Sequence, residues 1–418
     1  MLEKSWSSLT RKLEIVSIKR NFLTVASAGA LLVTLAGCQV PAAGPEVPIR
    51  IGASLPLTGE FSQGGADTQR GYEVWAALQN ERGGILGRKV EMIYKDDATN
   101  QNTVVSNYNQ LLSNENVDLL LGTQSSLLNI PASTVAERAG MLFICASCAS
   151  PEMFNRGFEF SFFSQQALAS EQGAAFADWI IGLPEGERPQ TVAYPSLDDP
   201  FATPAVEGVR KKLEAAGIET AYADTYPAAT KNFDAIVTAI RDSGAEVVVQ
   251  GAQFEDGVNF VRALNRANFH PEMLYQSSSP TYGQQYVDGV GVENTEGVLF
   301  SSSYHVDADT QGNKEFVAKY REIHGEYPPE DAADGYAAGQ VLASAVEGVG
   351  STDDQKALAD WLRGNKVETV LGTLAWNKDG SPRGEFLLGQ WQNGVSEVVL
   401  PAEAATTDRI TRWRGGEY

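Results

Sequence analysis

The chain has 418 residues, 43% of them hydrophobic and 20% charged, with 53 acidic against 32 basic side chains. That apolar fraction excludes intrinsic disorder, a mean hydropathy of −0.21 excludes a multispan membrane protein, and the length suffices for two packed lobes of about 150 residues each. A formal charge of −21 argues against nucleic acid, whose phosphates need a basic face, and three cysteines with three histidines leave little material for a metal cluster.

Residues 1–37 carry Lys4, Arg11, Lys12, Lys19 and Arg20 against only Glu3 and Glu14, and end in the apolar run NFLTVASAGALLVTLAG before Cys38. A basic segment, a short hydrophobic core and small residues before the cut mark a secretory signal. The run of about 17 residues is marginal beside the ~20 that a membrane span needs. Leu35-Ala36-Gly37-Cys38 resembles the bacterial lipobox, which implies that the Cys38 thiol is acylated; an uncleaved anchor helix with a chance cysteine is the alternative. Loss of residues 1–37, with five basic and two acidic side chains, takes the formal charge from −21 to −24. Lipid, not charge, would then hold this acidic body at a membrane surface. Residues 38–48 contain QVPAAGPEVP and read as a solvated tether.

From Ile49 onward short β-like runs alternate with amphipathic helices, the pattern of parallel α/β architecture. Strands are expected at 49–56, 89–97, 118–123 and 141–147, with helices at 66–82, 102–114 and 130–139. Pro131 falls in the first turn of the last of these, where a missing N–H costs nothing. The pattern restarts with strands at 191–196, 246–252 and 273–278 and helices near 204–216, 233–243 and 256–267. AAGIET and DSGAEV place glycine just past a helix, the expected stop. Helices at 313–324, 331–348 and 354–363 follow, then short strands and hairpins with Lys378-Asp379-Gly380 as a turn. Residues 404–418 read as a polar tail.

Catalytic signatures are missing from the sequence. Neither G-x-x-x-x-G-K-[ST] nor G-x-G-x-x-G follows an expected strand, and G-x-S-x-G and H-E-x-x-H do not occur. His270, His305 and His324 are widely spaced, in expected loops or helix ends. Asp96-Asp97, Asp198-Asp199 and Asp353-Asp354 suit turns or surfaces, because neighbouring strand residues point to opposite faces. Cys145-Ala146-Ser147-Cys148 ends a strand. It could be a local disulfide or two buried thiols, while zinc lacks a second pair and a redox role lacks a helix start. No cofactor, metal or enzymatic activity is expected.

Gly52…Pro56-Leu57-Thr58-Gly59, Gly71, Gly83-Gly84-Ile85-Leu86-Gly87-Arg88 and Asp96-Asp97 resemble the leucine/isoleucine/valine-binding protein family. The match continues through Gly122–Ser126, Pro131-Ala132, Gly140, Pro151-Glu152 and Arg156-Gly157. It reappears at Gly251 and ends in Leu371-Gly372-Thr373-Leu374-Ala375-Trp376, covering nearly all of 49–395. The order and spacing of these motifs are more specific than any one of them.

The resemblance implies an α/β fold of two Rossmann-like lobes, joined by three chain crossings near 168, 300 and 383. The N-terminal lobe would be 49–168 plus 301–382, and the C-terminal lobe 169–300 plus 383–403. It also implies an extracytoplasmic lipoprotein of an ABC importer that closes on an amino acid or related small carboxylate or amide and docks on permease subunits. Ser126 aligns with the family serine that receives the ligand carboxylate. Ser125 and Ser126 could also merely cap a helix. Ser147, Cys148 and Ala149 form the second expected binding loop, with Ala149 where members often have threonine. Phe201 occupies the position of an aromatic that covers the ligand, and Phe254 and Glu255 belong to a loop that faces the cleft.

Two departures concern a ligand ammonium group. Ala169 stands where an aspartate is usual, and Ser278 where another acid is found. Either Glu255 or Asp256 substitutes, or the ligand is an aromatic acid or amide without an α-amino group. Phe61, Phe201, Phe254 and Tyr282 would suit a flat ligand. A ligand-sensing domain for a signalling partner is the alternative of a different class.

Overall fold

The computed structural model describes residues 47–414; Cys38, the leader and most of the expected tether lie outside the described residues. In chain order the elements are β1 (Ile49–Leu55), α1 (Ser62–Glu81), β2 (Val90–Asp96), α2 (Gln101–Ser113), β3 (Leu119–Leu121), α3 (Ser126–Ala139), β4 (Phe143–Cys145) and β5 (Ser161–Phe163). Then come α4 (Ala169–Gln172), α5 (Ala174–Gly182), β6 (Thr191–Leu197), α6 (Ala202–Ala215), β7 (Glu219–Tyr226), α7 (Asp234–Ser243), β8 (Val247–Gln250), α8 (Phe254–Arg266) and β9 (Met273–Gln276). The remainder is α9 (Gln284–Val290), α10 (Val292–Thr295), β10 (Leu299–Ser302), α11 (Asn313–His324), α12 (Glu330–Val349), α13 (Gln355–Gly364), β11 (Val367–Thr369), β12 (Gly372–Leu374), β13 (Leu387–Gln392) and β14 (Val395–Leu400).

The first lobe is a parallel sheet in the order β2-β1-β3-β4-β5. Its central strands are buried, so they read as continuous apolar runs such as Leu119-Leu120-Leu121 rather than alternating ones. One face carries α1, α11, α12 and α13, packed through Trp75, Phe316, Tyr336 and Leu362, and the other carries α2 and α3 through Tyr108, Leu111 and Leu128. Helices α1 and α12 meet so closely that a Cβ at Gly71 would lie 2.1 Å from the carbonyl oxygen of Ala332. Only a residue without a side chain fits there.

The second lobe orders its sheet β14-β13-β10-β9-β8-β6-β7. Strands β6 to β10 run parallel, and the closing hairpin β13–β14 is antiparallel to β10. Gly217 and Gly244, the expected helix stops, adopt φ of +86° and +74°, which relieves the carbonyls of the last helical turn without a Cβ clash. The chain passes between the sheets after β5, after β10 and before β13. Ser301 and Ser302, at the second passage, still pair with Leu388 and Leu387 of β13.

Two expectations are corrected. Helix α3 begins at Ser126, not 130, which places Pro131 inside it rather than in its first turn. The proline deprives the Leu127 carbonyl of its helical donor, and the Gln101 side-chain amide donates to that carbonyl instead at 3.1 Å. The segment after 403 is not a loose tail as far as Arg414. The Trp413 indole is 4% exposed in the second-lobe core and donates to the Asn294 carbonyl at 3.0 Å, while the Thr411 N–H donates to Gln390 Oε1 at 2.8 Å.

Candidate functional site

A cavity lies between the carboxyl ends of the two sheets, where open α/β sheets place their ligands. From the first lobe its wall takes Gln124, Ser125, Ser126, Ser147, Ala149, Phe163 and Gln165, plus Glu330, Asp331 and Asp334 from the start of α12. From the second lobe it takes Gln172, Phe201, Gln253, Ser277, Ser278, Thr281 and Ser301. No lysine, arginine or histidine is among them.

The loop after β3 is set by Asn129, one turn into α3 and fully buried. Its amide donates to the carbonyls of Thr123, Ser125 and Ser147 at 2.7, 2.9 and 2.8 Å, and its oxygen accepts from the Thr123 N–H at 3.1 Å. One side chain thus fixes the loops after β3 and β4 together. Beneath it Asp97, expected in a turn or at the surface, is buried. It accepts from the hydroxyls of Ser54 and Thr123 at 3.1 and 3.0 Å, and burial holds its carboxyl up at about 6.

Ser125 sits at φ 71°, a conformation that costs a non-glycine residue roughly 1–3 kcal/mol and that clusters at ligand clamps. Its side chain makes no capping bond to α3, and its buried hydroxyl has no partner. The Ser126 hydroxyl accepts from the Ser150 N–H at 3.0 Å, tying α3 to the loop beyond β4. Ser147 Oγ accepts from the Ser125 N–H at 3.3 Å. The start of α3, with its unpaired N–H groups and positive dipole end, therefore faces the cavity beside two hydroxyls, an arrangement that suits an anion.

Six of the residues expected to bind the ligand line this cavity: Ser125, Ser126, Ser147, Ala149, Phe201 and Ser278. Phe201 packs against the cores of both lobes. Cys148 is fully buried and joined to Cys145 in a disulfide beside the Ser147 loop, and it does not line this cavity.

Phe254 and Glu255 line a second, smaller cavity, with Gln124 and Gln253 shared between the two. Phe254 packs on Tyr282 at 4.6 Å between ring centroids. The Lys231 ammonium stands 3.1 Å from Glu255 and 3.8 Å from Glu60 of the first lobe, an exposed bridge across the mouth. Asp256 turns inward, accepting from the Tyr226 hydroxyl at 2.7 Å and from the Gln253 N–H at 2.9 Å. Neither acid reaches the cavity at the start of α3, because one is paired with Lys231 and the other closes the N-terminus of α8.

The acids that do reach it escaped the sequence reading. Asp334 is 1% exposed and accepts from the Ser303 hydroxyl at 2.7 Å and from the Gln165 amide. Glu330 accepts from the Ser302 hydroxyl and from the Ser303 N–H at 3.1 Å. Both therefore grip passages between the lobes. Asp331 lies against the Tyr282 hydroxyl, and its Oδ2 has no partner. Burial, with neighbouring carboxyls adding to it, pushes Asp331 up to about 7, Glu330 to about 8 and Asp334 well above the usual carboxylate range. In sequence Glu330 and Asp331 are ordinary first-turn acids of a helix, favourable to its dipole anywhere, so nothing local singles them out.

Residues 48–395 match the family model described as periplasmic binding protein. The chain belongs to that family. An amino acid binding protein of Pseudomonas aeruginosa is 28% identical over 353 residues, 84% of this chain and 92% of that one. Among solved structures, a leucine binding protein from Thermotoga maritima superposes with a TM-score of 0.74 at 19% identity, covering 84% of this chain and 97% of the other. An ABC transporter solute binding protein from R. palustris in complex with benzoate gives 0.73 at 19% identity, covering 86% and 99%. The two lobes are thus those of a type I periplasmic binding protein. The family is one of solute binders rather than enzymes, and its members work outside the cytoplasm.

Proposed function

We propose that this periplasmic binding protein is the lipid-anchored receptor of an ABC importer and captures an amino acid or a related small carboxylate or amide by closing its lobes. The observation that carries this reading is the cavity walled by both lobes, with the start of α3 and its serines on one side and Phe201 and Ser278 on the other. A ligand touching both walls favours the closed form by its contacts there, and a permease that docks on that form reads occupancy. The names of relatives in Pseudomonas and Brucella, an amino acid binding protein and Leu/Ile/Val-binding homologues, agree with this ligand class. Anchoring rests on Leu35–Cys38, outside the described residues.

A thermal-shift screen of amino acids, aromatic acids and amides tests the reading. A ligand at 100 times its Kd adds about 2.7 kcal/mol of stability, several degrees of melting temperature. Ser126→Ala should weaken the hit at least tenfold. A screen in which no compound raises the melt, or a hit indifferent to Ser126, would refute it. Cys38→Ser should release the chain from the membrane fraction.

A further inference from the structure

Fourteen of the seventeen residues lining the cavity between the two sheets are polar or acidic, and only Ala149, Phe163 and Phe201 are apolar. A hydrocarbon side chain placed there would bury hydroxyls, amides and carboxyls without hydrogen bonds, each stranded group weakening its binding. The excess of charge is equally one-sided, with three carboxyls and no base. Two of the three, Glu330 and Asp334, are engaged by Ser302, Ser303 and Gln165. Asp331 is different because one of its oxygens is left without any partner.

An independent observation points to the same spot. Gln124 is 3% exposed, and its buried amide oxygen has no partner in the protein. A Cβ added to Gly64 would lie 2.8 Å from each of Asp331 Oδ2, the Gln124 side-chain nitrogen and the Tyr282 hydroxyl. Three polar groups from α12, the β3 loop and the second lobe therefore converge above a residue with no side chain. Two oxygens of this group, Asp331 Oδ2 and Gln124 Oε1, have no hydrogen-bond donor, and a donor that carries positive charge would satisfy both.

Resting on the receptor reading above, we propose that Asp331, with Gln124 and Tyr282, is a cation subsite, and that the ligand is a small polar molecule with a protonated amine or guanidinium. A basic amino acid is the class that fits both ends, its carboxylate at the start of α3 and its cationic nitrogen at Asp331. Burial supports this assignment, since a carboxyl held near 7 loses its proton readily once a cation meets it.

Calorimetric titration of the full chain with L-lysine, L-arginine, L-isoleucine and benzoate tests the proposal. Lysine or arginine should bind at least a hundredfold more tightly than isoleucine and benzoate. Asp331→Asn should abolish that preference while leaving the ligand-free melting temperature unchanged or raised, because it removes a buried carboxyl whose Oδ2 has no partner and keeps an oxygen that can accept from Tyr282. A merely structural Asp331 would instead lower the melt and leave the preference intact. Gly64→Ala, which fills the point of convergence, should weaken lysine binding too. Tight binding of isoleucine or benzoate alone would overturn the subsite while upholding the receptor. Failure of every amino acid and acid to bind would overturn both.

Discussion

Asn129 offers the sharpest test of how the binding loops are built. Replacing it with alanine removes the amide that serves the carbonyls of Thr123, Ser125 and Ser147 and the oxygen that serves the Thr123 N–H. The Ser125 carbonyl keeps its helical donor, the Asn129 N–H, at 3.1 Å. Three buried backbone groups are then left short, each worth about 1–3 kcal/mol. Water entering from the cavity would satisfy some of them, so the cost should fall near the lower end, about 3–5 kcal/mol. For a lobe of this size that lowers the melting temperature by roughly 6–15 °C, which calorimetry or circular dichroism reads directly. Ligand affinity should drop at least a hundredfold, since Ser125 and Ser147 lose their common tether. Asn129→Asp keeps the acceptor for Thr123 but sets a carboxylate against three carbonyls, so it should be as unstable at pH 7 and partly recover in acid. An Asn129→Ala protein within about 1 kcal/mol of the parent that binds ligand normally would refute the idea that one side chain holds both loops.

Gly71→Val should destabilise by more than 3 kcal/mol or prevent folding, because its Cβ would meet the Ala332 carbonyl oxygen at 2.1 Å and drive α12 off α1; denaturant unfolding or soluble yield reports it. Trp413→Ala should cost about 3–5 kcal/mol by emptying an aromatic site in the second-lobe core, and a truncation after 403 should do at least as much in the same assay. The ligand-free melting temperature should fall between pH 5 and pH 8. Burial raises Asp67 and Asp97 to about 6, Asp256 and Asp331 to about 7 and Glu330 to about 8. A carboxyl raised in the folded state contributes stability that is complete below its unfolded value near 4 and is lost as pH climbs through the folded one. A flat or rising profile would show that these acids are not held protonated.

Local sequence determined a good deal of this molecule. Apolar runs bounded by turn residues marked most strands, and the repeat of helix and strand marked the α/β class, because those patterns follow from the chain's own period and from burial on one or both faces. Helix stops at Gly217 and Gly244 were legible because positive φ is a property of a single residue. Ser125, Ser126 and Ser147 were placed at the cavity by the family resemblance, in loops that follow strands whose carboxyl ends converge in such folds. By contrast β5, β7, α5 and the packed segment at 404–414 are too short or too polar for a periodic signal, and partners far away in sequence stabilise them. The start of α3 was misjudged because proline usually marks a first turn, and only Gln101, brought close by the packing of α2, makes an interior proline tolerable.

The sequence by itself determined the composition, the class of fold and one wall of the site. Tertiary structure alone decided which charges meet the ligand space. Glu255 and Asp256, the nearest acids in the expected loop, are spent on Lys231 and on the N-terminus of α8, whereas α12 delivers Glu330, Asp331 and Asp334. Gln165 reaches Asp334 from 169 positions away, and no propensity, cap or spacing encodes such a meeting. It follows from packing α12 across α1 through Gly71, which aims the first turn of a buried helix at the gap between the lobes.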